Sequence, residues 1–311
     1  MKISFTIPCY RSEKTLPAVV SELKSVMANF SGFSYEIIMV SDASPDHVFQ
    51  VIQKLCHEDP EHCKGIELAR NFGQHAALMA GYGIADGDYI FTLDDDGQAP
   101  LESIPQLIES LRESDLVFGY YAHKKHHYLR NLGSKINDRM AEFLLGKPRN
   151  LHVTSFFAMR RFVRNEILKY DNAYPYLLGL LLRTTKNIVN VPVNHRERAE
   201  GRSGYTFLKL LKLWLNGFTA FSVVPLRIAT FFGFLCAILG FCGAIWCIVN
   251  KFLHPTVPQG YSSIMTAIIF IGGILMLMLG LIGEYVGRTY ICLNNAPQYV
   301  IRNTTLETWH E

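Results

Sequence analysis

From Met1 to about Gly119, short apolar runs alternate with longer amphipathic stretches. Lys2–Ile7, Tyr35–Val40, Gly65–Leu68, Tyr89–Leu93 and Leu116–Gly119 are rich in β-branched and aromatic residues and predict strands. Leu16–Phe30, Asp46–His57, Gly73–Ile84 and Ile104–Glu113 carry helical spacing. This alternation predicts an α/β fold, a mostly parallel sheet with helices on both faces. Ligand sites of such open sheets lie beyond the carboxyl ends of the strands. Pro8, Asp42 and Asp94 all fall at predicted strand ends, so residues far apart in sequence are expected to converge on one edge.

The pattern changes in the last third. No charged residue occurs from Ile228 to Asn250 or from Ser262 to Gly283. As a helix the first stretch would be about 34 Å long, enough to cross a hydrocarbon core of roughly 30 Å. Two such stretches in succession predict a transmembrane hairpin rather than a buried soluble one. Just before it, in Phe207–Phe218, Lys209, Lys212 and Asn216 form a narrow polar stripe on a broadly apolar helix. That pattern suits a helix lying in the membrane interface, or packed on the soluble domain. The expected organisation is a soluble domain over 1–205, interfacial helices over 206–227, a two-helix membrane hairpin over 228–286 and a tail over 287–311.

Charge then orients the chain. Lys209, Lys212 and Arg227 precede the first span, and Arg288 and Arg302 follow the second; the connection Lys251–Tyr261 holds only Lys251. The positive-inside rule places both termini and the soluble domain in the cytosol, with that connection outside. The first residues read as a strand rather than a signal peptide, which agrees with a cytosolic domain. The 49% hydrophobic content is high for a soluble enzyme, and the excess sits in the two spans. A net charge of +3 gives no reason to expect nucleic acid as a partner, and the seven scattered cysteines fit a reducing compartment without a disulfide framework. Cys56, His57, His62 and Cys63 lie close in sequence, but adjacent Cys-His pairs rarely converge on one zinc ion, and the segment reads as a loop between helix and strand.

The candidate chemistry begins at Asp94-Asp95-Asp96-Gly97-Gln98, where the strand Tyr89–Leu93 runs out. Carboxylates crowded at a strand end repel one another unless a hard divalent cation neutralises them. Alone, the triplet reads equally as a solvated acidic turn. Between Tyr120 and Lys147 the chain is polar and basic, with His123-Lys124-Lys125-His126-His127, Arg130, Ser134 and Lys135. Beside an acidic metal site such cations would hold phosphate oxygens; otherwise they form a solvated basic face.

These pieces together resemble the inverting GT-A-type glycosyltransferases, and within them the polyprenyl-phosphate glycosyltransferases related to dolichol-phosphate mannose synthase. The matching residues are Ile7-Pro8-Cys9-Tyr10 with Glu13, Ser41–Asp46, Arg70–His75, Asp94–Gln98, His195–Arg198 followed by Gly201–Tyr205, and Gly283–Arg288. Their order, joined to two C-terminal spans, is what makes the resemblance specific. It implies a Rossmann-like GT-A domain followed by interfacial helices and two transmembrane helices in the bacterial inner membrane. Pro8, Tyr10, Glu13 and Asp42, with Asp94 and Gln98, are implied to hold a nucleotide-sugar donor, expected to be UDP-linked. Asp94, Asp96 and Gln98 are implied to form the Mg²⁺ or Mn²⁺ and diphosphate cluster, with Asp96 the direct ligand.

The acceptor implied by the resemblance is a polyprenyl (undecaprenyl) phosphate drawn from the lipid bilayer. Its phosphate is already anionic, so it can attack the anomeric carbon without a protein base. Arg130, Lys135, Arg198 and Ser203 are the candidates to position and neutralise the two anionic reactants, with Arg196 and Arg202 as neighbours. A homo-oligomer is compatible with this organisation. The chain departs from the family pattern at Ala122, where an arginine is expected, at Thr154-Ser155-Phe156-Phe157, which lacks a common aspartate, and at Ser41 and Arg11. A processive polysaccharide synthase shares the first domain but adds spans and a Gln-x-x-Arg-Trp motif; no Arg-Trp pair occurs here. A non-catalytic membrane scaffold would have no need of Asp94, Asp96 and Gln98.

Overall fold

A computed structural model of the chain describes residues 1–30, 32–121, 146–194, 260–293 and 296–306, with single positions at 142 and scattered between 231 and 253. The chain divides into two compact units, Met1–Leu213 with Asn295–Glu311, and Trp214–Asn294.

The first unit is built on one eight-stranded sheet. In chain order its elements are β1 (Lys2–Cys9), α1 (Leu16–Ala28), β2 (Ser34–Ser41), α2 (Val48–Glu58), β3 (Cys63–Leu68), α3 (Gln74–Ile84), β4 (Tyr89–Thr92), a short 3₁₀ turn, α4 (Ile104–Ser110), β5 (Leu116–Tyr121), β6 (Phe157–Arg160), α5 (Arg161–Ile167), α6 (Leu177–Thr184), β7 (Ile188–Val193) and, from the end of the chain, β8 (Ile301–Thr304). The strands lie in the order β7-β5-β6-β4-β1-β2-β3-β8. β1 to β4 are parallel, as is the pair β5 and β7, while β6 and β8 run antiparallel to their neighbours.

Side-chain alternation decides which face of β1 meets which helices. Ile3, Phe5, Ile7 and Cys9 join Leu16, Val19 and Leu23 of α1, Ile52 of α2 and Leu107 of α4 in one buried cluster. Ser4 and Thr6 point the other way, toward α3, whose Ala76, Ala77, Ala80 and Gly81 let it lie close to the sheet. A Cβ on Gly81 would stand 2.4 Å from Thr6 Cγ2, so no larger residue fits there without a shift.

One buried carboxylate gathers several polar partners inside this unit. Glu36, 1% exposed, accepts from Lys2 at 2.8 Å, Lys64 at 2.7 Å, the Ser4 hydroxyl at 2.6 Å and the Asp86 N–H at 2.7 Å. Burial alone would raise its pKa, but the two lysines and the two further donors outweigh that and hold it down at about 2. Arg160 and Arg161 fasten β6 and α5 to neighbouring loops by donating to the carbonyls of Leu111 and Gly87 at 2.8 and 3.0 Å, and Arg164 donates to Tyr82 near the end of α3 at 2.7 Å.

The sequence reading of 287–311 as a tail missed β8. Ile301–Thr304 runs antiparallel to β3 and covers what would otherwise be an open sheet edge. Thr305 adds to this contact, its hydroxyl accepting from Gly65 N–H at 2.9 Å.

In the second unit, α7 (Tyr261–Leu293) contains the second predicted span. Its stretch Phe270–Gly287 has a mean hydropathy of 1.8, and none of that stretch is buried within the protein. Leu275, Met276, Leu279, Ile282 and Val286 are exposed. A helix apolar around its circumference needs an apolar surrounding, so α7 is long and apolar enough to cross a membrane. Most of the first predicted span, Ile228–Asn250, and all of Phe207–Phe218 lie outside the described residues.

Candidate active site

Register brings the strand ends together. Cys9 of β1 pairs with Ser41 of β2, and Thr6 with Thr92 of β4, so the segments following β1, β2 and β4 emerge side by side. Pro8 lies within β1 and Tyr10 just beyond it, with the Tyr10 side chain 44% exposed. Asp42 follows β2, and Asp94 to Gln98 follow β4.

The three consecutive aspartates have separate local partners. Asp95 turns toward β1, its Oδ2 accepting from Tyr10 N–H at 3.0 Å, while its carbonyl accepts from Thr15 Oγ1 at 2.7 Å. Asp94 Oδ1 accepts from Gln74 Nε2 at 3.1 Å, and its Oδ2 from the Ser155 hydroxyl. Asp96 Oδ1 accepts from the N–H of Gln98 at 3.1 Å, across a turn that Gly97 enters at φ +73°. Ser155 reaches the cluster because β6 runs back along β4 with Phe157 opposite Thr92.

Crowding shows in the proton affinities. Withdrawal from water, with the charges of Asp96 and Asp95 added, raises Asp94 to about 6 against the opposing bonds from Ser155 and Gln74. Asp95 is raised as well, chiefly by burial. Tyr121, at the end of β5, is pushed up to about 12 by burial and by the charges of Asp94 and Asp96. Among the described residues no lysine or arginine forms an ion pair with Asp94 or Asp95.

Such an all-oxygen donor set suits a hard divalent cation. Among the described residues no three His, Cys, Asp or Glu side chains converge into a cage around an ion.

Asp42 and Glu13 are tied into the neighbouring loops. Asp42 is 3% exposed, and its two oxygens accept from the N–H groups of Phe72 and Gly73 at 2.7 and 2.8 Å. Gly73 has φ +93°, a left-handed value that turns the loop into the first residue of α3. Glu13 Oε2 accepts from His47 N–H at 3.0 Å, and the Glu13 N–H donates to Asp46 at 3.1 Å. The Arg11 guanidinium lies 5.6 Å from the Tyr10 ring centroid, so any base packing on Tyr10 would meet a cation there. Arg130, Lys135, Arg198 and Ser203 lie outside the described residues.

Beside Asp94 is a cavity of about 210 Å³, lined among others by Gln74, His75, Phe118, Ser155, Leu177 and Leu181. Burial holds His75 down at about 4, so its imidazole is neutral at neutral pH. The sequence assigned no role to Gln74, His75 or Ser155. The first two lie in the quoted stretch Arg70–His75, but nothing in their spacing announces that the first turn of α3 abuts the end of β4.

Residues 4–169, more than half of the chain, match the glycosyl transferase family 2. The chain belongs to that family. Residues 224–289 of this family 2 member also match the GtrB C-terminal hairpin. Among curated relatives, the undecaprenyl-phosphate 4-deoxy-4-formamido-L-arabinose transferase of Klebsiella pneumoniae (strain 342) is 30% identical over 304 residues, covering 97% of this chain and 93% of the relative. The enzyme of the same name from Proteus mirabilis (strain HI4320) is also 30% identical, with the same coverage. Among solved structures, glucosyl-3-phosphoglycerate synthase from Mycobacterium tuberculosis, in complex with Mn²⁺, UDP-glucose and phosphoglyceric acid, superposes with a TM-score of 0.53 at 16% identity. That match covers 70% of this chain and 77% of the other and shows the shared fold.

Proposed function

We propose that this glycosyltransferase moves one sugar from a nucleotide sugar, UDP-linked, to undecaprenyl phosphate at the cytosolic face of the bacterial inner membrane. The observation that carries the reading is the carboxylate group Asp94–Asp96 at a strand end of a family 2 domain whose chain continues into a GtrB-type hairpin. The near-full-length relatives are named for transfer to undecaprenyl phosphate, which supports the same acceptor here.

In this reading Pro8, Tyr10, Glu13 and Asp42 shape the nucleotide pocket. Tyr10 packs on the base; Asp42 acts by holding the Phe72-Gly73 loop, since both its oxygens already accept from that backbone. Asp96, assisted by Asp94 and Gln98, would hold Mg²⁺ or Mn²⁺, and a bound cation would take up charge on the leaving nucleoside diphosphate. The acceptor phosphate oxygen forms the new bond to the anomeric carbon from the face opposite the diphosphate, which leaves with the electrons of the old bond, so configuration inverts. No proton has to be removed from the nucleophile, which suits a chain that lacks a common family aspartate in the segment Thr154-Ser155-Phe156-Phe157. Arg130, Lys135, Arg198 and Ser203 neutralise and orient the acceptor phosphate. The hairpin of two spans, with both termini cytosolic, keeps the site at the surface where the lipid phosphate lies.

The test is to give membranes containing the full-length chain undecaprenyl phosphate and a panel of labelled nucleotide sugars, with and without EDTA. Label should enter the lipid phase from at least one donor and stop entering when the cation is chelated. Failure of every donor to label the lipid would overturn the reading.

A further inference from the structure

His75 is the second residue of α3, and its ring meets that of Tyr176 edge-on, the centroids 5.7 Å apart and the planes at 74°. The loop leading to Tyr176 is held in turn by Gln298, whose Nε2 donates to the carbonyls of Tyr170 and Asn172 at 3.1 Å each. The imidazole is thus set in place by packing, while its Nδ1 is withdrawn from solvent with no hydrogen-bond partner among the described residues. A buried polar atom left unpaired opposes folding, so an orphan in the wall of a cavity points to a partner that arrives with the ligand.

His75 lines the cavity of about 210 Å³ beside Asp94, and the other polar side chains of that wall already bond within the protein. Thr92 Oγ1 is 2.6 Å from the Tyr82 hydroxyl, and Thr154 Oγ1 donates to the Gly119 carbonyl at 2.6 Å. Gln74 Nε2 and the Ser155 hydroxyl donate to Asp94. Among the described residues, His75 Nδ1 is therefore the one buried side-chain nitrogen or oxygen of this wall without a partner. A neutral imidazole can donate or accept at Nδ1, according to its tautomer. Burial keeps the ring neutral, so it has no charge with which to hold a phosphate, and an anionic group would meet the Asp94 carboxylate beside it. An isoprenoid tail has no hydrogen-bonding atom beyond its phosphate. A sugar ring carries several, none of them charged.

We propose that His75 is a specificity-determining contact, its Nδ1 forming a hydrogen bond with one uncharged polar substituent of the transferred sugar seated in the cavity beside Asp94. The proposal rests on the glycosyltransferase reading above and adds the residue that reads the sugar. A site built around such a bond discriminates strongly, because a donor that lacks the substituent, or carries it in the other configuration, leaves the buried nitrogen unpaired.

The experiment gives the full-length chain in membranes undecaprenyl phosphate and donors that differ from UDP-glucose at one position each: UDP-N-acetylglucosamine at C2, UDP-galactose at C4, and UDP-xylose, which lacks the C6 hydroxymethyl group. His75→Phe keeps a ring against Tyr176 and removes the hydrogen bond, whereas His75→Asn keeps a hydrogen-bonding atom close to the position of Nδ1. His75→Phe should lower kcat/KM for the preferred donor by about 10- to 100-fold. It should leave the analogue that differs at the position read by His75 nearly unchanged, so that the preference narrows at one ring position. His75→Asn should restore part of that preference. UDP affinity, measured by calorimetry, and the KM for undecaprenyl phosphate should stay as in the wild type. Should His75→Phe lose UDP affinity, His75→Leu, smaller and equally unable to form the bond, carries the same prediction. An equal loss for every donor with UDP affinity kept would overturn the proposal and give His75 a structural or water-mediated role. So would unchanged discrimination, and so would an effect confined to the KM for undecaprenyl phosphate, which would assign the cavity to the isoprenoid. Absence of label in the lipid from every donor with the wild-type chain would instead remove the glycosyltransferase reading and this proposal with it.

Discussion

Ser155 donates its hydroxyl to the carboxylate of Asp94 across 61 positions of sequence, joining the segment before β6 to the end of β4. The bond favours the ionised carboxylate, yet burial and the neighbouring aspartates keep Asp94 at about 6. In the cation-free protein this charge opposes folding. The folded pKa lies above the unfolded one, so folding takes up a proton between the two values and stability declines as pH rises through about 6. Asp94→Asn should therefore raise the unfolding midpoint in EDTA by a few degrees at about pH 8 and change it little at about pH 4. Thermal melts at the two pH values check this, and an equal effect at both would refute the assigned electrostatics.

Asp96 lies two residues on and accepts from Gln98 N–H within the same loop. Asp96→Asn retains the shape and removes a charge. Transfer should fall by on the order of 100-fold or more, the size of loss typical when a group stabilising transition-state charge is removed. Calorimetric titration with Mn²⁺ supplies a readout independent of turnover: the wild type should bind and the variant should not, with melting behaviour preserved. Normal Mn²⁺ binding by the variant would place the ion elsewhere.

Glu36 gives the opposite pH dependence. Because its folded pKa is lowered to about 2, it contributes stability above its unfolded value and loses it as pH falls toward 2. Glu36→Gln leaves Lys2 and Lys64 without their buried counter-charge and should destabilise the first unit by about 3 kcal/mol at neutral pH. Urea unfolding at neutral pH and at about pH 3 should show the difference between variant and wild type shrinking in acid.

The chain end should matter for the soluble unit. Removing residues from 296 onward takes away β8 and uncovers β3, so the truncated protein should melt lower and associate through the exposed edge. Thr305→Val is the milder form, leaving Gly65 N–H without its acceptor at a cost of about 1–2 kcal/mol. A truncated chain that melts and sediments like the full one would show that β8 is dispensable.

For topology, a cysteine introduced between Lys251 and Tyr261 should react with an impermeant thiol reagent on intact cells, and one at the N-terminus should not. The reverse pattern would move the donor site to the wrong side of the membrane for a cytosolic nucleotide sugar.

Local pattern was enough for β1 to β5, for α1 to α4 and for the apolar helix α7, because period and length are properties of contiguous residues. It also placed Asp94–Gln98 at a strand end, since an apolar run followed by carboxylates is visible without knowing any neighbour. What it left out depends on pairing between distant segments. β6 and β8 carry no apolar run that marks them, and become strands only because β4, β5 and β3 present unpaired backbone to them. Ser155 carries no role legible in the sequence; that it reaches Asp94 follows from the antiparallel register of Phe157 on Thr92. Likewise Asp42 reads as a binding carboxylate in sequence, and only the fold shows both its oxygens accepting from the Phe72-Gly73 backbone. Sequence determines the chemical groups and the local geometry they prefer, whereas which groups lie within hydrogen-bonding reach is decided when the sheet closes, because that distance depends on strand order and register.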